Sequence, residues 1–93
     1  MKYTIKPTNQ FKKDLKRGTK QRRNLSELTS VINTLASGEK LDEKYYDHPL
    51  TGNLRSKREC HVEPDWLLIY ALKKDVAVLS LDRIGTHAEP YNL

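Results

Sequence analysis

Six residues near the middle of the chain, His61-Val62-Glu63-Pro64-Asp65-Trp66, bring an imidazole, two carboxylates and an indole together just ahead of an apolar run. His48 lies thirteen residues earlier and His87 follows the last apolar stretch. The three histidines therefore fall in a loop, near a strand end and just after a strand, places from which side chains can converge. Imidazole exchanges protons near neutrality, so two of them, or one with a carboxylate, can remove and supply protons at pH 7. Asp65, Arg83 and the tail aromatic Tyr91 complete the set of candidates.

Other chemistries fit the residues less well. Three histidines and an aspartate could ligate a metal, but there is no His-x-x-x-His or His-x-His pair, so the spacing argues against a metal site and no cofactor is expected. Cys60 is the only cysteine, which excludes an internal disulfide. It falls inside an expected strand rather than at a helix N-terminus, and reads as a small packing residue, not a nucleophile. Glycines 18, 38, 52 and 85 are scattered singly, so no phosphate-cradling loop exists.

Charge points to a polyanion. Residues 1–23 hold nine Lys or Arg against Asp14 alone, whereas residues 24–47 carry two bases and five acids. The first quarter is thus a cationic patch that draws in polyanions through counterion release and long-range steering. RNA suits acid-base chemistry on such a surface because its 2′-OH is a built-in nucleophile. A base removes the hydroxyl proton, an acid protonates the leaving 5′ oxygen, and a cation steadies the charge on phosphorus. Trp66, at the start of WLLIY, reads as a core residue, while Tyr91 in the polar tail is the better candidate for stacking on a nucleotide.

These groups need a frame. At 93 residues the chain is expected to form one domain, residues 1–93. Tyr3 and Ile5 alternate with polar residues in a short strand that stops at Pro7. Thr8 is placed to cap a first helix containing Phe11 and Leu15, ended by Gly18; a second helix from about residue 20 carries the stripe Leu25, Leu28, Ile32, Leu35 and stops at Ser37-Gly38. Glu39 to Asn53 reads as a long ordered loop holding His48. Three strands follow, roughly Lys57 to Val62, Trp66 to Leu72 and Val76 to Arg83, joined by connections short enough to force antiparallel pairing. The expected fold is α+β, a β-α-α-β-β-β order with a helical hairpin on one face of a small, mostly antiparallel sheet. No apolar run of membrane-spanning length or signal-peptide character appears, which points to the cytoplasm and away from a membrane partner.

Three motifs in one order and spacing carry a resemblance: Asp47-His48-Pro49-Leu50 followed by Gly52, then His61-Val62-Glu63-Pro64-Asp65-Trp66, then Arg83-x-Gly85-Thr86-His87. Together they closely resemble the YafQ branch of the RelE-like bacterial toxins across the C-terminal half. The N-terminal half agrees in its basic, two-helix character. The resemblance implies a RelE-like fold and a type II toxin that cuts mRNA on the translating ribosome, and the acid-base reading above requires no metal for it. It also implies neutralisation by a DinJ- or RelB-like antitoxin whose N-terminal half binds DNA, so that operator DNA is met only through the complex. Carried over by position, the functional residues are His48, His61, Asp65 and His87, with Arg83 matching and Tyr91 standing where the family has phenylalanine. On this resemblance His87 is the general acid, His48 or His61 with Asp65 forms the base side, and Arg83 contacts the scissile phosphate. Lys13, Lys16, Arg17 and Lys20 are then available for ribosomal RNA or an acidic antitoxin. Two other functions suit the same composition and fold: a non-catalytic RNA-binding module, and a ParE-like toxin acting on DNA gyrase.

Overall fold

In the computed structural model, which describes residues 2–86, the elements run β1 (Thr4–Pro7), α1 (Asn9–Lys20), α2 (Leu25–Ala36), a 3-10 turn (Glu43–Tyr45), β2 (His48–Pro49), a second 3-10 turn (Gly52–Leu54), β3 (Arg58–Glu63), β4 (Trp66–Lys73) and β5 (Val78–Gly85). The strands form one sheet in the order β1-β5-β4-β3-β2. β1 pairs with β5 in parallel, and the other pairings are antiparallel, so the sheet is mixed. The parallel pair needs a crossover, which the helical hairpin and the three later strands provide.

β4 lies at the centre and is buried from Trp66 to Ala71, as a strand with neighbours on both edges and cover on both faces must be. Period-two alternation divides the sheet. Cys60, Leu68 and Ile84 align across β3, β4 and β5 and join Trp66 and Tyr70 in the hydrophobic core with Phe11, Leu28, Val31 and Leu35 of the two helices. The opposite face carries Glu59, His61 and Arg83, separated by Ile69 and Leu67.

Thr8 caps α1 as the sequence suggests, its hydroxyl accepting from the Phe11 N–H at 3.0 Å. Gly18 does not end that helix. The helix continues to Lys20 because Gly18 is packed under the indole of Trp66, where a Cβ would stand 2.7 Å from Cζ2. Tertiary contact, not chain reversal, is what requires glycine here. The reversal comes instead at Arg22 (φ 58°), and α2 begins only at Leu25, with Asn24 Oδ1 accepting from the Glu27 N–H at 3.0 Å. The segment expected as a loop contains β2, whose two residues extend the sheet edge against Arg58 and Glu59. Among the described residues no helix is long and apolar enough to cross a membrane.

Candidate active site

Strand pairing assembles side chains that are far apart in the chain. His48 pairs with Glu59, Glu59 with Ile69, and Ile69 with Arg83, one row across four strands on a single face. At 4.7–4.9 Å per strand, Glu59 and Arg83 stand roughly 10 Å apart across Ile69. A second row runs from His61 through Leu67 to Gly85, directly before Thr86 and His87. Glu59 is the functional candidate that motif spacing missed. The available signal was Glu59-x-His61 on a strand, where residues two apart share a face.

The hydrogen bonds of the two imidazoles orient their free edges. His48 Nδ1 lies 2.8 Å from the Tyr46 carbonyl and His61 Nδ1 lies 3.2 Å from the Pro64 carbonyl. A carbonyl only accepts, so each Nδ1 carries the proton and each Nε2 is left for chemistry. His48 Nε2 meets Glu59 Oε1 at 3.1 Å, a charge-assisted hydrogen bond when the ring is doubly protonated. The Glu59 side chain is only 8% exposed, so this carboxylate is held by the sheet rather than by solvent. The two imidazole rings are 6.2 Å apart, centre to centre.

Residues just outside the pair hold it in place. Asp47 points to the core side of the edge strand, where Oδ1 accepts from Tyr70 Oη at 2.7 Å and from Arg58 Nε at 3.2 Å. Burial, then the Asp47 carboxylate, pushes the Tyr70 hydroxyl above its ordinary range, so it stays a donor. The neighbouring Tyr45 hydroxyl donates to Glu27, whose carboxylate raises the Tyr45 pKa to about 12. The loop carrying His48 is thus tied to both β4 and α2.

Arg83 is fixed from the helix side. β1 ends opposite Leu81, leaving the edge of β5 beyond it to be covered by α1. There Asp14 accepts from Arg83 Nε at 2.8 Å, Arg83 Nη2 at 3.3 Å, the Ile84 N–H at 3.1 Å and Gln10 Nε2 at 3.1 Å. Burial alone raises the Asp14 pKa, but the hydrogen bonds from Arg83, Gln10 and Ile84 outweigh it and the net shift is downward.

Asp65 goes elsewhere. Its side chain is 70% exposed and bound to Arg23 Nη1 at 2.8 Å, a hydrogen bond that lowers its pKa. Among the described residues the carboxylate that meets a histidine is therefore Glu59, not the expected Asp65. Lys13, Lys16, Arg17 and Lys20 line one shallow hollow on α1 and so share a single face of that helix. His87 and Tyr91 lie outside the described residues. Trp66 is buried in the core, as its place in the apolar run suggested. Cys60 is fully buried, and burial with the nearby Asp47 and Glu59 charges pushes its thiol up to about 12, so it is not a nucleophile.

Nδ1–H held by a backbone carbonyl, with Nε2 turned inward, is also how proteins prepare histidine to ligate a metal. One donor atom each from His48, Glu59 and His61 lie within 4.8 Å of one another. Two imidazoles and a carboxylate suit zinc, nickel or copper. Spacing along the chain spoke against such a set, yet the β2–β3 register creates it.

The family model of the bacterial toxin of type II toxin–antitoxin systems, YafQ, matches residues 3–91. The mRNA interferase toxin YafQ of Escherichia coli K12 is 38% identical over 85 residues, covering 90% of each protein. A metal-bound toxin from Helicobacter pylori superposes with a TM-score of 0.89 at 44% identity, over 96% of this chain and 99% of that one. YafQ in the E. coli DinJ–YafQ complex superposes with a TM-score of 0.87 at 35% identity, over 97% and 99%.

Proposed function

The chain belongs to the YafQ family of type II toxins, and we infer from this that it is an mRNA interferase acting by acid-base catalysis. The observation that carries the mechanistic reading is the convergence of His48, Glu59 and His61 with both Nδ1 atoms already committed to carbonyls. His61 Nε2 accepts the 2′-OH proton, the 2′ oxygen attacks phosphorus, and the bond from phosphorus to the 5′ oxygen breaks. His87, which follows Thr86 in the sequence, supplies the proton that the 5′ oxygen takes. His48, paired through Nε2 with Glu59, and the Arg83 guanidinium face the charge gathering on the phosphoryl oxygens. The products are a 2′,3′-cyclic phosphate and a 5′-OH. Asp65, paired with Arg23, acts on the turn after His61 rather than on the proton.

A divalent cation held by His48, Glu59 and His61 would take the His61 Nε2 lone pair out of proton transfer. The basic face of α1, with Lys13, Lys16, Arg17 and Lys20, docks ribosomal RNA, so the mRNA is cut during translation. A DinJ-like antitoxin neutralises the toxin and brings the complex to operator DNA, and these events take place in the cytoplasm.

Primer extension on a translated mRNA after brief induction tests this reading. In-frame cuts that need translation, and that fall about a hundredfold or more in His61→Ala and His87→Ala, are expected from the loss of one proton-transfer group. Growth arrest without cuts, or cuts that persist in both variants, would overturn it.

A further inference from the structure

Proton transfer leaves one feature beside His61 unused. A hollow of about 500 Å³ opens between the start of α2, the 3-10 turn and the end of β3, lined by Asn24, Glu27, Tyr45, Tyr46, His61 and Glu63 among others. Tyr46 stands at its mouth with 67% of its surface exposed. Its ring centre is 5.1 Å from that of His48 and 5.5 Å from that of His61.

The backbone makes this tyrosine unusual. Tyr46 sits at φ 48°, ψ 48°, the left-handed region where a β-carbon crowds the following carbonyl. Glycine would occupy the position without that cost. The hydrogen bonds there use main-chain atoms: the Tyr46 N–H donates to Glu43 O at 3.0 Å, and its carbonyl accepts from His48 Nδ1 at 2.8 Å. A glycine would supply both. The chain therefore holds a large ring in a strained conformation beside the two imidazoles, with about two-thirds of its surface left open.

We propose that Tyr46 is the stacking platform for a nucleobase flanking the scissile phosphate, with the adjoining hollow receiving that base. This rests on the ribonuclease reading above. The hollow has the character of a base site rather than a phosphate site. Glu27, which accepts from Tyr45 Oη, and Glu63, which accepts from the Asn24 N–H and lies 3.9 Å from Arg23 Nη1, keep further carboxylate oxygens that can accept the N–H groups of a base edge. An aromatic face is sequence-tolerant, so the ring contributes affinity and placement, and it holds the phosphate against His61 while the base is seated.

The test is steady-state cleavage of mRNA on programmed ribosomes by wild type and by Tyr46→Ala, Tyr46→Phe and Tyr46→Gly, with antitoxin affinity and Tm measured in parallel. Loss of the ring in the Ala and Gly variants should raise KM about 5- to 100-fold with a smaller change in kcat, whereas Phe should stay near wild type. Tm of the Gly variant should equal wild type or exceed it by up to about 5 °C, because the strain is relieved. A structural tyrosine would give the opposite result, with Tm and cleavage falling together. Unchanged KM in both ringless variants overturns the proposal, and if antitoxin affinity falls instead, the ring is a partner contact. If wild type cuts no RNA at all, the ribonuclease reading fails first.

Discussion

Asp14→Asn tests whether the helix–sheet seam holds Arg83 as the structure implies. Asp14 has a side chain 1% exposed and Arg83 one 13% exposed, so neither charge is well screened by water. Asparagine matches the shape of aspartate but replaces one acceptor oxygen with an N–H donor and removes the charge. Of four donors, two from Arg83 and one each from Ile84 and Gln10, at least one pair must then face another donor. Removing one member of a buried ion pair costs about 3–5 kcal/mol, and the isosteric change keeps the loss near 3. For a domain of this size each kcal/mol moves Tm by about 4–8 °C, giving a drop of roughly 12–24 °C at pH 7. Urea titration with cleavage measured alongside is the assay. The pH dependence has a fixed sign: a depressed carboxylate pKa contributes stability that is present above the ordinary value of 3.8 and lost as pH falls through the lowered folded value. The gap between wild type and Asp14→Asn should therefore close in acid. A loss under about 1 kcal/mol, or a gap that persists once Asp14 is protonated, would refute the account.

Other consequences are as direct. Gly18→Val should lower stability by about 2 kcal/mol or more, read as a fall in urea midpoint, because Cβ alone would sit 2.7 Å from the Trp66 indole. Added Zn²⁺ should inhibit cleavage by capturing the His48–Glu59–His61 donors, and Glu59→Gln should need more Zn²⁺ for the same inhibition. Chelator should leave cleavage by the metal-free protein unchanged. Cys60 should resist alkylation in the native state at pH 8 and react on unfolding, since burial holds its thiol near a pKa of about 12; prompt native labelling would contradict the packing of β3.

Much of the frame was legible in local sequence, because it depends on local physics. Thr8 and Pro7 mark where β1 yields to α1, the stripe through Leu28 and Leu35 builds one helix face, and Trp66 to Leu72 declares a buried strand. The motifs around His48, His61 and Arg83 likewise mark candidate groups by residue type and spacing alone. Residues whose roles arise from partners distant in the chain were not legible. Gly18 looks like a helix stop until the Trp66 ring is set against it. Asp14 looks like a lone acid in a basic helix until β1 ends early and exposes the edge of β5.

The same division runs through the candidate site. Sequence determined that imidazoles, carboxylates and cations were available, and the strand alternation of Glu59 and His61 was written there too. Only tertiary structure decided which carboxylate serves which imidazole. The β2–β3 register sets Glu59 against His48, while Arg23 draws Asp65 outward. Register and turn geometry are collective properties of paired strands, and a one-residue slip would turn every one of these groups to the other face.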